Sequence, residues 1–384
     1  MDALQLERAT EVVSRNLRLY EIVPEKSDGL VVFCRTSASM PFVSLSKKGM
    51  FIFHDLRFFD LLHHAVLGLQ FFDTNIDLPT GKTMGRFHLD SLLWTRLAES
   101  SLNINTEDLA LALGLLTQES MHYEHSLRTM GVYAPQLKIS GYKAFFNIEI
   151  FQSFALGHEL AHFNFKTGEK WNDKDMKTFW CVLDVIDKQA EDLQSKPIAP
   201  HPAILHMIIA VQKIRSSKIL FEEILADIAS INSMFSTKGA LSSLNLDKGI
   251  ALIASTVLYG LAGAKILAYT RAFAAKNRED FENIWLHNHE LFDARITFIV
   301  KFFSVLLYSQ PEGSLSESPE KTDHSIYLLL YDIFESVRRA ESSLKPTFER
   351  IIELRGNGEE TINEEALESN TVFSICANKL GWKE

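Results

Sequence analysis

The residues best suited to chemistry in this sequence are His158, Glu159 and His162, within the run His158-Glu159-Leu160-Ala161-His162. Two histidines spaced i, i+4 on a helix lie on one face, so each can direct a ring nitrogen at the same ion. Zinc accepts such nitrogen donors, and a catalytic zinc takes three protein ligands and leaves its fourth position to water. On a helix Glu159 projects about 100 degrees from His158. From there it reaches that water as a general base without ligating the ion itself. Phe154, Leu156, Leu160, Ala161, Phe163 and Phe165 surround the motif with apolar packing, while Ala155, Gly157 and Ala161 are small enough for close backbone approach.

A third ligand is offered further on, in Phe221-Glu222-Glu223-Ile224-Leu225-Ala226-Asp227. Glu223 and Asp227 are again i, i+4. One carboxylate can ligate the ion while the other, a turn later, accepts the outer N–H of a ligand histidine and fixes its tautomer. Glu223 is assigned as the ligand and Asp227 as the histidine's partner. Glu222 faces about 100 degrees away and reads as an ordinary helix acid.

These motifs, in this order, resemble the gluzincin class of zinc peptidases, in particular its CaaX-protease and HtpX-like branch. That branch carries a later His-Pro-x-x-x-x-Arg-Ile element, and here His289-Glu290-Leu291-Phe292-Asp293-Ala294-Arg295-Ile296 keeps the histidine, arginine and isoleucine but has Glu290 in place of proline. The resemblance covers roughly residues 145–300. It implies a zincin-like core, a bound zinc ion, hydrolysis of peptide bonds, and roles for His289 as a substrate or oxyanion donor and Arg295 as an anchoring cation. His287 is an immediate rival to His289. The enzymes of that branch are integral membrane proteins, whereas a chain of this size with a central HExxH is similar to the soluble Lit-like phage-exclusion peptidases, which cut a host cytoplasmic protein. The expected activity is therefore that of a zinc-dependent endopeptidase acting on a protein or peptide. The alternative from another class is a non-catalytic regulatory or interaction protein with a structural or vestigial metal site.

The rest of the composition sets limits on function. The chain has 384 residues, 46% hydrophobic and 23% charged, which suits ordinary globular folding. A net charge of −10 with no basic stripe argues against nucleic acid as a partner. Cys34, Cys181 and Cys376 are too few and too far apart for a disulfide framework, and residues 1–18 lack the apolar run of a secretory signal, so a cytoplasmic location is expected. Residues 249–264 are uncharged and apolar but shorter than the roughly 20 needed to span a bilayer, which favours a buried helix over a membrane anchor. Thr80-Gly81-Lys82-Thr83 lacks the first glycine of a phosphate loop, and His122 with His125 has no completing element.

The elements that must position the motif follow from periodicity. An α+β, predominantly helical fold is expected, with a small N-terminal antiparallel sheet from strands at 30–34 and 50–53. Helices are expected at 1–20, 56–70, 106–130, 151–165, 173–194, 203–234, 248–276, 278–307 and 325–355. Aromatic and β-branched residues at 137–151 predict one or two strands entering the motif, and the segment 145–150 would offer an edge for an extended substrate. The domain reading is an N-terminal α+β region (1–135), a metallopeptidase core (136–308), a Ser/Pro/Glu-rich linker (309–323) and a C-terminal helical segment (324–384).

Overall fold

The computed structural model describes residues 30–34, 42–46, 49–70, 72, 85–86, 89–90, 92–93, 146–166, 171–194, 212–235, 246–270, 278–308, 333 and 335–347. The helices expected at 1–20 and 106–130, the strand positions 137–145 and the linker 309–323 lie outside the described residues. Within them the chain is predominantly helical. Strands β1 (Leu30–Cys34), β2 (Phe42–Ser46) and β3 (Gly49–Asp55) precede helices α1 (Leu56–Gln70), α2 (Ile148–Lys166), α3 (Asp173–Gln194), α4 (Lys218–Phe235), α5 (Leu246–Tyr269), α6 (Arg278–Tyr308) and α7 (335–347).

The sheet is mixed rather than purely antiparallel. β3 is central, with β1 parallel to it from Leu30 opposite Phe51 to Cys34 opposite Asp55. β2 forms the antiparallel partner, with Ser46 opposite Gly49 and only two residues between the strands. β2 lies outside the two strands expected from the sequence. A hairpin partner so close in sequence takes one edge of β3, which leaves β1 the other.

Helix starts are set by side chains that accept the first orphan amides. Asn147 Oδ1 accepts from Ile150 N at 3.0 Å, and Asn147 O accepts from Phe151 N at 3.0 Å. Residues 148–150 are therefore helical, and the strand expected to run up to Ile150 is not formed there: the Asn147 cap and Glu149 in the first turn outweigh the β-prone side chains. The same device starts α3, where Asn172 Oδ1 accepts from Lys174 N at 2.9 Å. Ser217 starts α4, accepting from Leu220 N at 3.3 Å. It interrupts the single helix expected over 203–234.

Helix α5 is the centre of the core. Ile253, Val257, Leu258, Tyr259, Leu261 and Ile266 are all buried, and α5 packs against α1, α2 and α6. Among the described residues, Gly249–Tyr269 is the one span long and apolar enough to cross a membrane by length and composition, and 89% of it is buried inside the protein, as expected of a core helix. Close packing depends on glycine at two points. A Cβ at Gly260 would stand 2.0 Å from the Phe151 ring on α2, and one at Gly263 would stand 2.9 Å from Leu62 on α1.

Helix α7 docks through polar contacts. Glu341 accepts from Tyr269 Oη at 2.7 Å and pairs with the fully buried Lys265, and Thr347 donates to Asp90 at 2.6 Å. Burial would raise the Glu341 pKa, but Lys265 and His289 outweigh it and draw it from 4.5 down to about 2. A carboxylate depressed on folding stabilises the fold above its unfolded pKa and loses that contribution as pH falls through the folded value. Glu341→Gln is therefore expected to destabilise by about 1–3 kcal/mol at pH 7. In denaturant melts the gap to the parent protein should narrow as pH falls below about 4.5. Gly260→Ala should lower stability by about 1–3 kcal/mol or more in the same melts, because the Phe151 ring has nowhere to move.

Candidate metal centre

Helices α2 and α4 pack against each other, and Ser230 on α4 donates to the Phe154 carbonyl on α2 at 2.8 Å. This crossing sets the Glu223 and Asp227 carboxylates against His158 and His162, and α6 brings Arg295 up behind them. All five residues were legible as candidates, and all five meet here.

Asp227 is fully buried and accepts three charge-assisted bonds: Arg295 Nε at 2.9 Å, Arg295 Nη2 at 2.7 Å and His158 Nδ1 at 2.7 Å. Burial would push its pKa up, but Arg295 and His158 hold it below the ordinary value. An ionised Asp227 has only acceptors, so His158 Nδ1 carries the proton and donates. In the neutral ring Nε2 is then a bare lone pair. It faces Glu223 Oε2 at 3.3 Å and His162 Nε2 at 3.1 Å, and His162 Nε2 lies 3.2 Å from Glu223 Oε1. Burial also opposes charge on Glu223, yet His158, His162 and Arg295 hold it ionised, well below the carboxylate range.

Acceptors therefore converge on one point, and something positive has to lie between them. In the bare protein a proton does so: burial lowers the His158 pKa, but Asp227 outweighs it and raises the value to about 9. A divalent ion meets the same need, and the donor set fits zinc. Ligand atoms of His158, His162 and Glu223 lie within 4.8 Å of one another. Two ligands at about 2.0–2.1 Å from a tetrahedral ion lie about 3.3 Å apart, close to the 3.1, 3.2 and 3.3 Å found here. Arg295 Nη1 reaches Glu223 Oε2 at 3.1 Å, so one guanidinium holds both carboxylates.

Glu159 is partly buried on the same helix and feels the charges of His158, His162 and Glu223. Burial raises its pKa, the imidazoles lower it, Glu223 raises it, and the net shift is upward.

The two residues assigned roles from the His289-to-Arg295 element are placed differently from expectation. Arg295 is only 3% exposed, and its guanidinium is taken up by Asp227 and Glu223 rather than turned toward a ligand. His289 contacts Asp293 at 3.0 Å and Tyr269 Oη at 3.1 Å, and lies 3.8 Å from Glu341, in a group separate from the metal centre. His287 is exposed. His289, Asp293 and Glu341 also have metal-ligating types at short range, but Lys265 Nζ pairs with both carboxylates and fills the place of a cation. Glu222 pairs with Lys218 at 3.5 Å, as an ordinary helix acid.

One neighbour escaped the sequence reading. The Trp171 ring lies 6.3 Å from that of His162 and stacks on Phe165 at 4.8 Å. The available signal was an aromatic residue directly before the Asn172 cap, a few positions beyond the motif helix. Comparison of the chain with protein-family models, curated proteins and solved structures finds no match.

Asp227→Asn keeps the shape but loses the charge that fixes the His158 tautomer, and should weaken zinc about 10–100-fold in chelator competition. Arg295→Met leaves Asp227 buried without its cation, and a loss of about 3–5 kcal/mol is expected in denaturant melts.

Proposed function

We propose that this chain is a zinc-dependent peptidase of gluzincin type, hydrolysing peptide bonds in a protein or peptide substrate. The observation that carries the reading is the convergence of His158 Nε2, His162 Nε2 and the Glu223 carboxylate, with Glu159 beside them. His158, His162 and Glu223 would hold the ion. Zinc, when bound, acidifies a water molecule and polarises a carbonyl.

Glu159 takes the proton from the attacking water and delivers it to the leaving amine. Asp227 holds His158 in the tautomer that presents Nε2, and Arg295 holds Asp227 and Glu223 in place without contacting substrate. His162 and Glu223 are partly exposed, at 14% and 24% of their side chains, whereas His158 is 4% exposed. Access therefore comes from the His162 and Glu223 side, and an accessible side favours a catalytic over a purely structural ion.

The zincin-like core belongs to the same proposal, as does the kinship of motif order with the CaaX-protease, HtpX-like and Lit-like peptidases. So does action on a cytoplasmic protein rather than in a membrane.

Glu159→Gln tests the reading. The variant should bind one zinc per chain as the parent does, while cleavage of a peptide library, followed by mass spectrometry, falls by about 10²–10⁴-fold or more. A parent protein that binds no zinc, or a Glu159→Gln variant that cleaves as well as the parent, rules it out.

A further inference from the structure

The two oxygens of Glu223 have different surroundings. Oε2 accepts from Arg295 Nη1 at 3.1 Å and lies 3.3 Å from His158 Nε2. Oε1 lies 3.2 Å from His162 Nε2 and has no other partner among the described residues. The guanidinium responsible for this difference is held in one orientation. Its Nε and Nη2 both donate to the fully buried Asp227, at 2.9 and 2.7 Å, and its Cζ lies 5.6 Å from the centre of the Phe292 ring. In a planar fork, fixing two nitrogens fixes the direction of the third. Nη1 therefore meets Oε2 from a direction set by Asp227.

A carboxylate ligates a metal through one oxygen or through both. An oxygen that already accepts from a guanidinium shares its charge with that bond and is the poorer donor to an ion, whereas Oε1 keeps its charge for the ion. Resting on the zinc-binding part of the peptidase reading, we propose that Arg295 is a positioning residue that limits Glu223 to ligation through Oε1 alone. The ion then keeps three protein ligands and a fourth position for water. A second Glu223 oxygen on the ion would compete for that position with the water that Glu159 serves. Asp227 thus acts on two ligands, on His158 directly through Nδ1 and on Glu223 through Arg295.

The metal alone is the probe. Infrared difference spectra are taken as zinc is added to the full chain, with carbon-13 glutamate marking the glutamate bands. The gap between the two carboxylate stretches widens for ligation through one oxygen and narrows for ligation through two. In the parent protein it should widen. Arg295→Lys keeps a cation beside Asp227 but loses the fork. This variant should still take up one zinc per chain, with the gap narrowed. Loaded with Co2+, it should show weaker visible bands than the parent, as expected when a ligand is added to a four-coordinate ion. Cleavage of a peptide library should fall by about 10–100-fold.

A gap that narrows in the parent, or an Arg295→Lys variant whose gap and cobalt bands match the parent, overturns the inference about Arg295 and leaves the peptidase reading standing. Zinc uptake with the expected spectra but no cleavage of any peptide does the reverse. A parent chain that takes up no zinc overturns both. Should Arg295→Lys fail to fold, the gap in the parent protein decides alone.

Discussion

The buried pair between Asp227 and Arg295 is the interaction on which the site depends. Taking a carboxylate and a guanidinium out of water costs several kcal/mol per ion, and close, fully hydrogen-bonded geometry has to offset it. Here Arg295 meets Asp227 through two nitrogens, and His158 Nδ1 supplies a third bond to the carboxylate. The pair ties α6 to α4 and, through His158, to α2. It also orients the ring, because an ionised Asp227 accepts from His158 Nδ1 and leaves Nε2 turned toward His162 and Glu223. Structural and chemical roles are therefore carried by the same atoms.

Around that pair the packing is fitted rather than merely apolar. Gly260 lets the Phe151 ring lie against α5, and Ser230 satisfies its hydroxyl on the Phe154 carbonyl, so α2 is held along its length by two neighbours. A helix held in this way cannot slide by a fraction of a turn without overlapping a ring or losing a buried hydrogen bond. That packing sets the histidine nitrogens and the Glu223 oxygens about 3.2 Å apart.

A second polar group in the same protein shows how similar residue types reach a different end. His289, Asp293 and Glu341 could ligate a metal by type and distance, but the buried amine of Lys265 lies among them and neutralises the carboxylates. Among the described residues, no side-chain amine pairs with Glu223 between His158 and His162. Arg295 lies behind Asp227 and braces Glu223 from one side. Where the protein places its own cation decides which group is left wanting an external one.

Much of this was legible in the sequence. The i, i+4 spacing of His158 with His162 and of Glu223 with Asp227 requires only the 3.6-residue helical repeat, so those four residues could be assigned before any fold was known. The bounds of α1 and α3 followed from periodicity in the same way. Residues 148–150 were misread because β-prone side chains masked a capping asparagine, and the break at Ser217 was missed because an apolar repeat continues across it. His289 and Arg295 are six residues apart on α6, yet one joins the Lys265 group and the other braces Asp227 and Glu223. Helical spacing states which side chains share a face; which partner each face meets is settled only when helices pack, through contacts such as Arg295 with Asp227 and Trp171 with His162 that join residues far apart in the chain or separated by a break between helices.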